Sequence, residues 1–362
     1  MDNNRDESFM RQAIELSWNA RLLSPPNPWV GCLLVKDNHI IGRGHTSKYG
    51  SNHAEVNALL DAGGQTQDAA AYVTLEPCSH WGKTPPCTEA LIQAGIAKVV
   101  IGILDPDPRV SGQGIAKLQS AGIDVIVGVL ENEVKQCLAP YLYHRTNKLP
   151  YVILKAALSL DGKIAAQDGS SKWISSEAAR NDVQKLRAES QAILIGAGTA
   201  LADSPRLTVR AGDLALKPLR VLIDLSGRVP AAGPLFDATL APTLVVTLNS
   251  VSEAKKSEWQ QSGVEVLVLN AADKREVIKQ LLMELAKRGI IQVLVEGGAA
   301  IYQYFFEAGF FNEIILYYGN CIIGHEGKEL LSSFQAENMS NAPRFRLQSV
   351  ESFGDTVKVV YQ

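Results

Sequence analysis

The chain has 362 residues, of which 46% are hydrophobic and 20% charged. This is the composition of a globular protein, and it is too long for one ordinary domain. The 35 basic and 38 acidic residues give a net charge of −3, so no basic surplus indicates a nucleic-acid partner. The polar N-terminus lacks a signal-peptide pattern, the apolar runs are strand-sized, and the odd count of five cysteines argues against a disulfide framework. We therefore expect a cytoplasmic protein with reduced thiols and no membrane partner.

The first half of the chain alternates helical and strand patterns. An amphipathic helix is predicted over residues 6–22, followed by a hairpin over 29–42. Further strands and helices follow in turn, with strands at 71–75, 97–104 and 123–127 and helices at 53–60, 88–95 and 112–121. This alternation predicts an α/β domain with a mixed sheet.

The pattern breaks at Lys148-Leu149-Pro150, where a new strand begins. We place a domain boundary there, giving predicted domains of 1–147 and 148–362. The second half alternates again, with strands at 151–158, 192–196, 219–224, 243–247, 264–268, 291–295 and 313–318 and helices at 176–189, 274–288 and 299–308. Residues 343–361 have the pattern of two antiparallel strands.

A histidine, a glutamate and two cysteines in the first half carry the chemistry of a metal site. His53-Ala54-Glu55 opens a predicted helix, and Cys78 and Cys87 lie in the polar sequence EPCSHWGKTPPC at 76–87. This combination is typical of zinc nucleobase deaminases, although that signature has two residues between its cysteines and this chain has eight. We predict His53, Cys78 and Cys87 as zinc ligands, which leaves the fourth position for a water. Glu55 is predicted to move protons to the ring nitrogen and the leaving ammonia. A chance trio of one histidine and two loop thiols is the alternative.

CSHWGKTPPC, PPNPWVGC (25–32), GHTSKYGSNHAE (44–55) and DPDPRVSGQG (105–114) resemble the deaminase half of the bifunctional deaminase/reductases of riboflavin biosynthesis. The resemblance extends over nearly the whole chain. It implies a cytidine-deaminase-like three-layer domain that acts on a ribosylated diaminopyrimidinone 5′-phosphate. The family usually has proline before the zinc-binding histidine, and Asn52 at that position puts only the local loop shape in doubt.

A substrate phosphate needs cationic or polar donors, and several lie near the metal motif. Charge-assisted bonds from His45, His80 and Lys83 suit such a group. Asn27 resembles the family asparagine that meets the substrate. The alternatives are a solvated loop lysine for Lys83 and a plain turn residue for Asn27.

The second half lacks the complete glycine fingerprint of dinucleotide-binding folds. IGAGTALADSP (195–205) has one Gly-x-Gly, and Gly297-Gly298 joins a predicted strand to a helix whose free amides would favour phosphate. From spacing alone, ordinary strand-to-helix turns explain both segments equally well.

KAALSLDGKIA (155–165), GSSKWISS (169–176), GTALADSPRLTVR (198–210) and EGGAAIYQYF (296–305) resemble the reductase half of the same family, which has a dihydrofolate-reductase-like α/β fold. The resemblance implies substrate contacts from Lys155, Ser171, Leu207, Arg210 and Glu296. It also implies NADPH contacts from Ala157, Trp173, Thr199, Asp203, Gly298, Ala299, Ala300, Ile301, Tyr302, Gln303 and Tyr304. Without the resemblance, Trp173 would be assigned to the core.

We therefore expect a bifunctional enzyme that deaminates a phosphorylated ribosylaminopyrimidinone at zinc and then reduces its ribosyl group to ribityl with NADPH. The resemblance also implies a homodimer formed through the reductase domain. Three alternatives stay open: a deaminase with a degenerate C-terminal binding domain, a deaminase of nucleic-acid bases, and a zinc protein without enzymatic activity.

Overall fold

A large sheet organises each of the two compact units of the chain, Met1–Leu149 and Pro150–Gln362. The computed structural model describes residues 2–107, 111–210 and 217–362. Because each unit has its own sheet and its own buried residues, each is described by itself.

The first unit contains a five-stranded mixed sheet in the order β2-β1-β3-β4-β5. Strand β1 is antiparallel to both neighbours, whereas β3, β4 and β5 are parallel. Its strands are β1 (Gly31–Lys36), β2 (His39–His45), β3 (Ala70–Leu75), β4 (Lys98–Ile103) and β5 (Asp124–Val127). Its helices are α1 (Asp2–Ser17), α2 (Ala54–Asp61), α3 (Cys87–Gln93), α4 (Gln113–Ser120), α5 (Glu131–Cys137) and α6 (Ala139–Asn147).

Close glycine contacts show that α1 and α2 cover opposite faces of this sheet. A Cβ on Gly31 would lie 1.9 Å from the Ala13 carbonyl oxygen of α1, and one on Gly44 would lie 2.1 Å from the Ala54 carbonyl oxygen of α2. Gly44 pairs with Cys32, the strand neighbour of Gly31, and successive strand residues face opposite sides. The unit therefore has three layers, which confirms the predicted α/β fold with a mixed sheet.

The second unit contains a nine-stranded sheet in the order β11-β10-β9-β8-β12-β6-β13-β16-β15. Neighbouring strands are parallel from β11 to β13, and β16 and β15 add an antiparallel edge. The strands are β6 (Tyr151–Leu158), β8 (Ala192–Gly196), β9 (Leu219–Ile223), β10 (Thr243–Leu248), β11 (Glu265–Leu269), β12 (Gln292–Gly297), β13 (Glu313–Tyr318), β15 (Leu347–Phe353) and β16 (Thr356–Tyr361), and β7 (Lys163–Ala165) pairs separately with β14 (Lys328–Glu329).

The helices of the second unit are α7 (Glu177–Glu189), α8 (Ala197–Asp203), α9 (Glu253–Gln261), α10 (Lys274–Lys287) and α11 (Ala299–Ala308). Side chains cap the starts of α7, α9 and α10. Ser176 caps α7 by accepting the Ala179 N–H at 3.2 Å, and Asp273 caps α10 by accepting the Glu276 N–H at 2.8 Å. Strands β9 and β10, which follow α8 in the chain and precede α9, are buried on both faces. This is typical of parallel strands that are covered by helices on both sides.

The helix predicted over 6–22 differs from the structure at both ends. Helix α1 begins at Asp2 and ends at Ser17, and a short 3₁₀ turn, Trp18–Ala20, follows it. The apolar periodicity continues through that turn, so the predicted helix extended beyond the observed end of α1. In the part of the chain that the structure describes, no helix is long and apolar enough to cross a membrane.

Candidate active sites

Three metal-ligating side chains meet where α2 and α3 begin. His53 is the residue that precedes α2, Cys87 is the first residue of α3, and Cys78 lies in the loop between β3 and α3. The His53 Nδ1 atom lies 3.3 Å from the Cys87 Sγ atom and 3.6 Å from the Cys78 Sγ atom. Among the described residues, this is the only group of His, Cys, Asp and Glu side chains with a metal-site spacing. The structure thus brings the three predicted ligands together.

These distances fit a tetrahedral zinc ion. Zn–S bonds of about 2.3 Å and Zn–N bonds of about 2.0–2.1 Å place a nitrogen and a sulfur ligand about 3.6 Å apart at a tetrahedral angle. Hydrogen bonds with Cys87 and His53 lower the pKa of the Cys78 thiol to about 4, so Cys78 is a thiolate at neutral pH. The hydrogen bond with Cys78 and burial raise the pKa of the Cys87 thiol. A bound cation would compete with the proton of this thiol.

Glu55 lies in the first turn of α2, and only 4% of its surface is exposed. Burial raises the pKa of its carboxyl, and the charge of nearby His53 opposes the rise. A carboxyl with a raised pKa, next to a metal site, can accept and return a proton near neutral pH. The glutamate that the sequence assigned to proton transfer therefore lies where the chemistry needs it.

The predicted phosphate donors lie in two loops that flank the metal ligands. The Lys83 ammonium lies 4.0 Å from the centre of the Tyr49 ring, which brings the loop after β2 against the loop between the cysteines. His45, at the end of β2, has its Nδ1 atom 3.2 Å from the Thr46 carbonyl oxygen. The His80 Nδ1 atom is buried without a hydrogen-bond partner in the described structure. Asn27 lies in a turn where its backbone N–H donates to the Ser24 carbonyl oxygen at 2.9 Å.

One buried glutamate in the cysteine motif has a structural role that the sequence did not reveal. The Glu76 carboxylate accepts backbone N–H groups from Gly112 at 3.0 Å and Gly114 at 3.1 Å. Asp105 accepts the Tyr141 hydroxyl at 3.1 Å. Both acids therefore hold the segment after β4 in place, and the position of Glu76 directly after a buried strand was the available signal.

The second unit contains a cavity of about 560 Å³ at the carboxyl ends of β6, β8, β9 and β12. Ligands of parallel α/β sheets bind at this edge. All of the reductase contacts named in the sequence analysis line the cavity except Gln303. The Gln303 amide instead donates to Glu307 at 2.5 Å and accepts the Ser333 N–H at 3.3 Å. Successive helix residues face different directions, so the Gln303 side chain faces away from the cavity, and its predicted cofactor contact stays a prediction.

An ion cluster lies in the wall of this cavity. The Glu296 carboxylate forms a bidentate pair with Arg187, with an Nη2–Oε2 distance of 2.8 Å, and lies 3.9 Å from the Lys155 ammonium. Burial alone would raise the pKa of Glu296, but the charges of Arg187 and Lys155 hold it at about 2. Burial lowers the pKa of Lys155, which favours proton exchange by its amine. Arg187 was not predicted from the sequence.

Trp173 lines the same cavity with 67% of its surface exposed. Its ring stacks on the Arg180 guanidinium, whose central carbon lies 4.3 Å from the ring centre. Without the family resemblance, the sequence would place Trp173 in the core, and that assignment is wrong. An exposed aromatic face at a cavity mouth is suited to contact a flat ligand.

Fold and site geometry together define a two-domain enzyme: a three-layer deaminase with a three-ligand zinc site, followed by an α/β unit that binds its ligand at the carboxyl edge of a parallel sheet. Comparison with known proteins agrees. Residues 3–103 match the cytidine and deoxycytidylate deaminase zinc-binding region, and residues 150–359 match the RibD C-terminal domain.

The chain is similar over nearly its whole length to several relatives. It is 44% identical to the riboflavin biosynthesis protein RibD of Chlamydia trachomatis, over 98% of this chain and 94% of that protein, and 38% identical to RibD of Escherichia coli, over 98% of each. The solved structure of the Thermotoga maritima deaminase/reductase is 36% identical, has a TM-score of 0.89 and covers 100% of this chain and 99% of its own. Form 1 of Acinetobacter baumannii RibD is 37% identical, with a TM-score of 0.88 and 99% of each chain covered.

The chain belongs to the RibD family of riboflavin biosynthesis enzymes. It is a bifunctional enzyme, a zinc-dependent deaminase and an NADPH-dependent reductase, and the alternative of a deaminase with a degenerate second domain is not favoured. Its substrate belongs to the class of small phosphorylated pyrimidines.

Proposed function

We propose that residues 1–147 deaminate a diaminopyrimidinone ribosyl 5′-phosphate and that residues 148–362 reduce the ribosyl group of the product to ribityl. The observation that carries this proposal is the convergence of three metal-ligating atoms within 4.8 Å of one another, next to the buried Glu55. The name of the Thermotoga relative supports the substrate, because it describes a diaminohydroxyphosphoribosylaminopyrimidine deaminase and a 5-amino-6-(5-phosphoribosylamino)uracil reductase.

In the deaminase, His53, Cys78 and Cys87 would hold zinc, which when bound supplies a water of lowered pKa. Glu55 would accept one proton from this water and pass it to the ring nitrogen as the oxygen adds to the ring carbon, and would then accept the second proton from the new hydroxyl and pass it to the departing amino group, which leaves as ammonia. The raised pKa of Glu55 supports this role, since the residue must both accept and release a proton. Asn27 contacts the substrate, and His45, His80 and Lys83 bind its phosphate.

In the reductase, NADPH when bound supplies a hydride to the C1′ carbon of the substrate. Trp173, Thr199, Asp203 and the turn from Gly298 into α11 hold the cofactor, together with Ala157. Helix α11 has ten residues, and its free N-terminal amides face the cavity through Ala299 and Ala300. Lys155 and Glu296 position the ribosyl group, with Ser171, Leu207 and Arg210 completing the substrate contacts.

We also propose that the enzyme acts in the cytoplasm as a homodimer formed through the reductase unit. Free cysteines, two of them metal ligands, suit a reducing compartment. The edge strand β15 and its neighbour β16 expose Leu347, Val350 and Val357, with 51%, 57% and 40% of their surfaces accessible. A second copy of the chain would cover these side chains. Light scattering that gives a monomer mass at micromolar concentration would exclude the dimer.

A Glu55→Gln variant tests the deaminase assignment. The amide keeps the shape of the side chain but cannot accept the proton, so we expect zinc to be retained and ammonia release to fall by about 10²–10⁴-fold. NADPH oxidation should continue when deaminated substrate is supplied. Glu89→Gln, which removes a partly exposed carboxylate on α3 that pairs with Lys117, is the matched control. Ammonia release at the parental rate from Glu55→Gln would remove Glu55 from the mechanism.

A further inference from the structure

The cations that line the reductase cavity differ in whether they have partners. Lys155 and Arg187 pair with Glu296, and Lys172 lies 3.9 Å from Asp203. Arg180 donates to the Ser175 carbonyl oxygen at 2.6 Å. Arg228 also lines the cavity, yet it is exposed and its guanidinium has no hydrogen bond or ion pair with any described residue.

Arg228 lies at one end of the cavity, just after β9. The sheet order β9-β8-β12-β6 places this end three strand spacings, about 14 Å, from the strand that carries Lys155. No described residue of β13, the neighbour of β6 on its other side, lines the cavity. Along the strand edge, the cavity therefore extends from Lys155 and Glu296 towards β9, and a dinucleotide whose nicotinamide lies beside these two residues has room in that direction.

Two further cations that line the cavity, Arg210 and Lys328, lie at the end where the substrate is proposed to bind. The Arg210 backbone N–H donates to Gln184 on α7 at 3.0 Å, the helix that also carries Arg187. The Lys328 ammonium would lie 3.0 Å from a Cβ on Gly169, in the segment that leads to Ser171. Of the cations that the structure describes around the cavity, Arg228 alone follows β9.

The acidic side chain beside Arg228 is already occupied. Asp224, the first residue after β9, accepts the Val229 N–H at 2.7 Å and the Ser226 N–H at 3.3 Å. These bonds fix the β9 turn, and the Asp224 carboxylate forms no ion pair with Arg228. The turn thus presents an uncompensated positive charge to whatever occupies this end of the cavity.

We propose that Arg228 discriminates NADPH from NADH by binding the 2′-phosphate of the adenosine ribose. The two coenzymes differ only by that phosphate, and a planar guanidinium binds phosphate through charge-assisted hydrogen bonds. The proposal rests on the proposed placement of the substrate at Lys155 and Glu296, because that placement sets the direction of the cofactor. It makes the end of β9 the specificity element of the reductase.

The test compares coenzyme binding to the full-length protein and to Arg228→Gln, with Arg228→Lys to restore the charge. Isothermal titration calorimetry with NADP⁺, NAD⁺, 2′,5′-ADP and 5′-AMP measures binding without catalysis. We expect Arg228→Gln to weaken NADP⁺ and 2′,5′-ADP by about 10–100-fold and to leave NAD⁺ unchanged, and Arg228→Lys to recover part of the loss. Lys217→Gln, an exposed lysine that precedes β9 and donates to Thr239, is the control and should leave all four affinities unchanged.

Two results would overturn the proposal, and they differ in what else they remove. If Arg228→Gln weakens both coenzymes equally, or neither, Arg228 does not read the 2′-phosphate, while the reductase assignment stands. If the parent protein binds no coenzyme at all, the assignment of the cavity to NADPH falls together with the role of Arg228.

Discussion

The Arg187–Glu296 pair should contribute measurably to stability, because both partners are largely buried. The side chains of Arg187 and Glu296 are only 16% and 6% exposed. Lowering the pKa of Glu296 from 4.5 to about 2 corresponds to roughly 3 kcal/mol at neutral pH. Because the folded-state pKa is the lower one, this contribution is present above about pH 4.5 and is lost as the pH falls towards 2.

Arg187→Met removes the cation and leaves Glu296 buried with only the more distant Lys155. We expect the second unit to lose about 3 kcal/mol at pH 7, which for a domain of this size lowers Tm by about 6–12 °C. Differential scanning calorimetry of the full-length protein measures the shift. Glu296→Gln should cost a similar amount, because it leaves the Arg187 charge unpaired.

The double variant Arg187→Met/Glu296→Gln decides whether the electrostatic explanation is correct. Removing both charges leaves neither one uncompensated, so the double variant should be clearly more stable than the sum of the two single losses predicts. Additive losses would refute the reasoning, since they would mean that each side chain stabilises the unit through separate packing contacts.

Two further predictions concern the deaminase unit. Cys78→Ser replaces a thiolate ligand with a weakly binding hydroxyl, so the zinc content measured by mass spectrometry should fall sharply. The control variant Cys321→Ser, in the other unit, should keep its zinc. Equal zinc content in both variants would exclude Cys78 as a ligand. Gly44→Ala places a methyl carbon 2.1 Å from the Ala54 carbonyl oxygen, so we expect a loss of about 1–3 kcal/mol in urea unfolding. Gly82→Ala, where a Cβ has nothing within 4 Å, should be neutral, and a stable Gly44→Ala variant would contradict the close packing of α2 on β2.

The zinc site and the parallel sheet could be predicted because their signals are local or chemically unusual. Few residue types bind zinc, so His53 and two cysteines in one polar loop stood out even with an unusual spacing. The buried strand β8, for example, is a continuous apolar run that ends in glycine. Glu55 followed from its position beside a ligand at the start of a helix.

What the sequence missed depends on contacts between distant residues. Arg187 lies 109 positions from Glu296 and looks like an ordinary solvated charge on an amphipathic helix. Helix α8 follows directly from β8 through Gly196-Ala197-Gly198, and it was not among the predicted helices. Helix α6, which has Pro140 in its first turn, where proline is tolerated, was also not among the predicted helices. The direction of Gln303 depended on how α11 packs.

The metal cluster belongs to Met1–Leu149 and the cavity to Pro150–Gln362, so the two activities of the enzyme are carried by one chain. Covalent linkage therefore fixes the ratio of the two activities at one to one in every molecule that is synthesised. A cell cannot rebalance the two steps by expressing more of one half. Any adjustment of flux between deamination and reduction must come from the turnover and affinity of the individual sites. Substitutions in one unit can change the turnover or affinity of that unit without altering the chemistry of the other.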